Sequence, residues 1–154
     1  MILIISKIPV IRTKLVKEYD INLYENKVFG IEGAEAIFKK LIGESTLEKV
    51  ALVCLDSSNK VINAAITSIG TDNKVYVVPS ELFRIALLSN ASSIIICHNH
   101  PTGELKPSNY DIEITRKIGY VGSILGIKLI DSLIIGDGGE CLSIRSEINK
   151  KGRI

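Results

Sequence analysis

Apolar residues recur along this chain in two alternating rhythms. Residues 50–55 (VALVCL) and 92–97 (SSIIIC) are short continuous apolar runs rich in β-branched side chains, which is how strands buried on both faces read. Residues 61–69 follow a turn signal, Asp56-Ser57-Ser58-Asn59, and are expected to form the hairpin partner of the first run. A shorter strand is expected at 74–78, and a loosely alternating extended segment or hairpin at 2–19.

Between these runs the period changes to that of a helix. Ala34, Ile37, Phe38 and Leu41 predict a helix over 33–42. Pro79-Ser80 opens a second helix through Leu88. Pro107-Ser108 opens the longest, to about Leu125, with Ile114, Ile118, Val121 and Leu125 as its apolar stripe and Gly126 as its stop. Residues 129–135 and 141–144 read as two closing strands around Gly136-Asp137-Gly138-Gly139, a turn with no helix after it and so no phosphate loop. This order predicts a layered α/β domain of two or three layers.

Composition narrows the picture. The 154 residues, 46% hydrophobic and 23% charged, suit one globular domain across 1–154, with a core at 46–147 and a less defined segment at 1–45. A net charge of +2 and scattered bases (Lys14, Lys17, Lys39, Lys40, Lys117 and the 150–153 tail) make no nucleic-acid footprint. The apolar start is broken by Lys7, with no basic region before it and no cleavage site after it, and no run reaches membrane-span length. Three dispersed cysteines, Cys54, Cys97 and Cys141, read as buried reduced thiols. A cytoplasmic protein is expected.

Both histidines of the chain fall in one stretch, ICHNHPTGELKPSNYD, at 96–111. On extended backbone, residues i and i+2 share a side, so His98 and His100 present two imidazoles together while Cys97 and Asn99 face away. Pro101 and Pro107 bracket a loop, and Ser108 begins a helix that carries Asp111 on its first turn. Ser108-x-x-Asp111 also reads as a variant capping box, which would hold that carboxylate still. Two neutral imidazoles and a carboxylate suit Zn²⁺ with a water in the fourth position. A solvated loop is the plain alternative, but HxHP, six residues and then SxxD between a strand and a helix is a specific pattern. HExxH and PCxxC are both absent, and the contiguous letters HNH do not make an HNH nuclease, whose residues are spread along a ββα element.

The stretch HNHPTGELKPSNYD resembles the JAMM motif of the JAB/MPN metalloprotease superfamily. KPSNYDIEITRKI, VVPSELFRIAL and LIDSLIIGDG make it similar to the RadC-type branch over roughly residues 48–146. The resemblance implies a JAB/MPN (cytidine-deaminase-like) layered α/β domain with a mixed β-sheet flanked by helices. It also leads us to expect the short stand-alone form, without the helix-hairpin-helix region common in that branch. His98, His100 and Asp111 would be the zinc ligands, and Ser108 would donate a hydrogen bond to the oxyanion. The glutamate that serves as general base and acid would be Glu48, just before the first buried strand, with Glu44 and Glu81 as competitors.

The implied activity is hydrolysis of a peptide or isopeptide bond in a protein substrate. Two rivals are a DNA-repair-associated factor that binds or processes nucleic acid, and a non-catalytic interaction module organised by zinc. One departure stands out. The branch usually reads LDHLIIG where this chain has Ser132, and Asp131 beside it is either an imidazole orienter or a strand-edge acid.

Overall fold

In the computed structural model, which describes residues 7–71 and 75–151, the first apolar run is an interior strand of a five-stranded sheet. The strands are β1 (Lys49–Leu55), β2 (Val61–Ile69), β3 (Ser93–Asn99), β4 (Lys128–Ile135) and β5 (Cys141–Ser143), in the order β2-β1-β3-β4-β5. β1 runs antiparallel to both neighbours, β3 and β4 are parallel, and β5 returns antiparallel to β4, so the sheet is mixed. Two antiparallel neighbours leave β1 with no free edge, and its residues from Val50 onward are buried on both faces.

Alternation then sorts the side chains into two cores. Ala51, Val53, Leu55, Ile95, Cys97, Leu133 and Ile135 point to α1 (Gly30–Ile42) and pack on Ala34, Ile37, Phe38 and Ile42. Leu52, Cys54, Ile94, Ile96 and Leu129 point the other way, to α2 (Pro79–Leu88) and α3 (Asn109–Leu125), meeting Leu82, Phe83 and Ile118. Of the two architectures expected, the three-layer one is present. A final helix, α4 (Ile144–Lys151), rests on β4 and α3. No helix among the described residues is long and apolar enough to cross a membrane.

Several expectations need correction. Residues 75–78 form no strand, and Lys74 lies outside the described residues. The Val77 N–H donates to the Tyr110 hydroxyl (3.2 Å), and Val78 is the extended residue before the proline that starts α2. Residues 7–22 carry neither strand nor helix, with Ile8, Val10 and Ile11 exposed; residues 2–6 of that expected segment lie outside the described ones. One bridge, Lys27 to Lys60, ties the following stretch to the start of β2.

The last strand stops at Ser143 because that side chain accepts the Ser146 N–H (3.0 Å), a helix-capping bond that turns the backbone into α4. On α3 the buried positions are Asp111, Thr115, Ile118 and Gly122, while Leu125 is exposed. The stripe is thus polar at its start, where the helix meets the site, and apolar further along. Gly126 ends it in the left-handed conformation (φ 71°), its N–H donating to the Gly122 carbonyl.

Candidate metal centre

β3 carries the two histidines out of the core in line. His98 is paired with Val50 and Ile134, and the His100 N–H donates to the Ile135 carbonyl (3.0 Å), which keeps the backbone extended past the strand's end. The two rings therefore share a side, with centroids 4.8 Å apart and Nε2 atoms 3.0 Å apart. A turn through Gly103 (φ 78°) follows, its N–H donating to the His100 carbonyl (2.9 Å), and the Glu104 carbonyl lies 2.6 Å from His100 Nδ1. A carbonyl only accepts, so His100 carries its proton on Nδ1 and presents the Nε2 lone pair.

Asp111 arrives from α3. Its Oδ2 accepts from the Ser108 N–H (2.7 Å) and from the Ser108 hydroxyl (2.6 Å), while the Asp111 N–H donates back to Ser108 Oγ (3.1 Å). This reciprocal box fixes the first turn and leaves Oδ1 directed at His98 Nε2, 3.3 Å away. Burial pushes the His98 imidazole down to about 4, with His100 adding to the effect and Asp111 opposing it, so the ring is neutral at physiological pH.

The third element is the entry to β1. The Glu48 N–H donates to Thr71 (2.9 Å) and its carbonyl accepts from Gly70 (2.8 Å), pinning the main chain against the end of β2. The side chain is buried, and burial raises its carboxyl above the usual range. Asp111 adds to the rise, while His100 and the Val75 N–H counter it. One carboxylate oxygen of Glu48 and one nitrogen each of His98 and His100 lie within 4.8 Å of one another, a group that can hold a metal ion. Glu44 is exposed and Glu81 sits half-buried on the first turn of α2; neither joins this group among the described residues.

The donor set fits a borderline-soft divalent ion. Two nitrogens and a carboxylate oxygen, with a second carboxylate alongside, converge in a buried place where their lone pairs would otherwise face one another. Cys97 is no part of it, being 1% exposed in the core under α1. Asp131 takes the plainer of its two readings. Its Oδ1 accepts the Ser132 N–H (2.7 Å) and the Ser143 hydroxyl (2.9 Å), with no imidazole among its partners. Ser132 is buried on the α3 side and accepts from the Thr115 hydroxyl (2.9 Å), one helical turn beyond Asp111.

Sequence reasoning passed over Asn99. It is 3% exposed and spends its whole amide on the stretch around Glu48. Oδ1 accepts the Lys49 N–H (2.7 Å), and Nδ2 donates to the carbonyls of Ser45 and Leu47 (3.1 Å each). The only available signal was its position between the two histidines on the opposite face. What it faces there depends on the β1–β3 pairing.

A family model described as a RadC-like JAB domain matches residues 31–150. A UPF0758 protein of Finegoldia magna is 40% identical over 109 residues, covering 71% of this chain and 48% of that protein. One from Caldanaerobacter subterraneus subsp. tengcongensis is 41% identical over 113 residues, with the same shares. Another from Methanosarcina barkeri is 41% identical over 95 residues, or 62% of this chain and 42% of that protein. The chain spans about half the length of the curated relatives it matches.

Proposed function

The chain belongs to the RadC-like JAB domain family, and on that footing we propose that it is a zinc-dependent hydrolase of peptide or isopeptide bonds. The observation that carries the reading is the grouping of Glu48, His98 and His100 within 4.8 Å, with Asp111 Oδ1 3.3 Å from His98 Nε2 and the Glu48 carboxyl raised by burial. His98, His100 and Asp111 would hold the ion, leaving Glu48 free for proton transfer. The chemistry zinc supplies there is acidification of a water toward pKa ~7 and polarisation of a carbonyl.

The remaining roles fall to side chains of this chain. Glu48 accepts a proton from the attacking water and returns it to the leaving amine, and a carboxyl raised by burial is better matched to both transfers near neutral pH. Ser108 has one hydroxyl proton, held by Asp111 Oδ2 in this structure. The Ser108 N–H bonds the same oxygen, so the carboxylate keeps its orientation when the hydroxyl turns to donate to a developing oxyanion. His100 is oriented through its Nδ1 by the Glu104 carbonyl, the kind of outer contact that fixes a ligand tautomer.

The test is elemental analysis of the purified protein together with a library of peptides and isopeptide-linked conjugates. We expect about one zinc per chain, lost in His98→Ala and Asp111→Ala, and cleavage that disappears in Glu48→Gln while the zinc stoichiometry at saturating metal is retained. Folded protein that refuses added zinc would overturn the reading. Zinc at full stoichiometry with no cleaved substrate would leave an interaction module organised by the metal and would remove the hydrolase.

A further inference from the structure

The entry to β1 has a hydrogen-bonding problem that a single side chain solves. The β1–β3 ladder ends at the pair Val50–His98. Lys49 faces Ile69 of β2 on one side, and its N–H has no strand partner on the other. The Ser45 and Leu47 carbonyls likewise lie outside the sheet ladders. All three groups converge on the Asn99 amide, whose oxygen takes the N–H and whose nitrogen serves both carbonyls. These contacts bracket Glu48 in sequence, two residues before it and one after.

Asn99 stands between the two imidazole residues on the same extended segment, with its side chain on the opposite face. One strand end thus presents the two imidazoles on one side and grips the backbone of the glutamate on the other. These three bonds hold the backbone from which the Glu48 side chain reaches toward the imidazoles. We propose that Asn99 is a positioning residue that sets the placement of the Glu48 carboxylate against His98 and His100, a role that rests on Glu48 acting at this site. It touches neither substrate nor metal and acts wholly through Glu48.

A side chain that merely satisfied buried backbone groups would make the same bonds, so the test must measure coupling to Glu48. The readout is zinc affinity at neutral pH, by competition with a chromogenic chelator, in wild type, Asn99→Ala, Glu48→Gln and the double variant. A carboxylate held within 4.8 Å of both imidazole nitrogens attracts the ion, so Glu48→Gln weakens zinc about 10-fold. Asn99→Ala frees that carboxylate and weakens zinc by a similar factor, and the double variant is no weaker than Glu48→Gln alone.

Losses that multiply to about 100-fold in the double variant would overturn the proposal, because Asn99 would then act independently of Glu48. So would unchanged zinc affinity in either single variant. Melting curves and far-UV circular dichroism establish that each variant is folded; if Asn99→Ala is not, Asn99→Ser goes through the same cycle under the same criterion. Where cleavage is found, kcat falls about 100-fold in Asn99→Ala with KM unchanged, and a rise in KM alone would count against positioning. Absence of cleavage would sink the hydrolase reading and leave the zinc cycle fully readable.

Discussion

His98 and His100 meet Nε2 to Nε2 at 3.0 Å, and the Glu104 carbonyl has already claimed the other nitrogen of His100. A hydrogen bond between the rings requires the proton of His98 to sit on Nε2, where Asp111 Oδ1 at 3.3 Å competes for it. A lone proton serves this cluster poorly, and a divalent cation serves all three atoms.

In chelator, the burial of His98 makes stability depend on pH. His98 is held near 4 in the folded protein, against 6.5 unfolded, so between those values the unfolded chain takes up a proton that the folded chain refuses. Stability is full above 6.5 and falls as pH drops toward 4, by about 3 kcal/mol from this residue. Glu48, with its raised carboxyl, has the opposite sign, losing stability as pH rises from its unfolded range through its folded value. Urea titrations at several pH values in chelator should show the acid-side loss, steeper in Glu48→Gln and shallower in His98→Gln. A flat profile in Glu48→Gln, where the opposing carboxyl is gone, would refute the burial of a neutral His98.

Ser108→Ala removes the cap of α3 and one of the two donors to Asp111 Oδ2. Loss of an N-cap costs ~1 kcal/mol and loss of a bond to a charged acceptor adds a comparable amount. We expect Tm to fall by about 5 °C and zinc affinity by about 10-fold, with Ser108→Thr restoring most of both. Calorimetry and chelator competition on the same samples check it; a fall in one without the other would separate the cap from the ligand.

Two of the three thiols should be silent in the native state. Cys54 is fully buried between sheet and helices with its thiol pushed up to about 11, and burial raises Cys97 well above its ordinary value. Cys141 is only partly buried. A colorimetric thiol reagent should find no more than one group at neutral pH and three after denaturation. Rapid reaction of two or more would contradict the packing of β1 or β3.

Phe38→Ala opens the core beneath α1, where Phe38 is fully buried. A loss of ~4 kcal/mol is expected in urea, with m unchanged. The site lies on the opposite face of the sheet, so zinc stoichiometry at low temperature should be preserved. Loss of zinc from protein that is still folded would mean the two faces are coupled.

The elements most legible in the sequence were those whose own residues carry the signal. β2 and α2 have the bounds expected of them, because Asp56-Ser57-Ser58-Asn59 and Pro79 mark their starts chemically. His98 and His100 share a side by strand alternation alone, and Ser108 with Asp111 forms the capping box that the spacing suggested. Signals arising between elements were out of reach. α4 depends on Ser143 turning the chain after β5, and residues 75–78 lose their strand because Tyr110 supplies the partner that a neighbouring strand would have been. Asn99 was invisible for the same reason, since the groups it binds lie 50 to 54 residues away.

That separation has a temporal meaning. The bond from Lys49 to Asn99 spans 50 residues and requires β1 and β3 to be zipped along their length, while Asp111 arrives only when α3 has docked. Contacts of such long range form late, after the loop between them has been closed. A nascent chain that has exposed both histidines therefore offers an ion two imidazoles and no fixed carboxylate, a weak and incomplete grip. If the centre takes zinc as proposed, metal loading is the last event of folding, and a bound ion certifies that β1 and β3 have closed on each other.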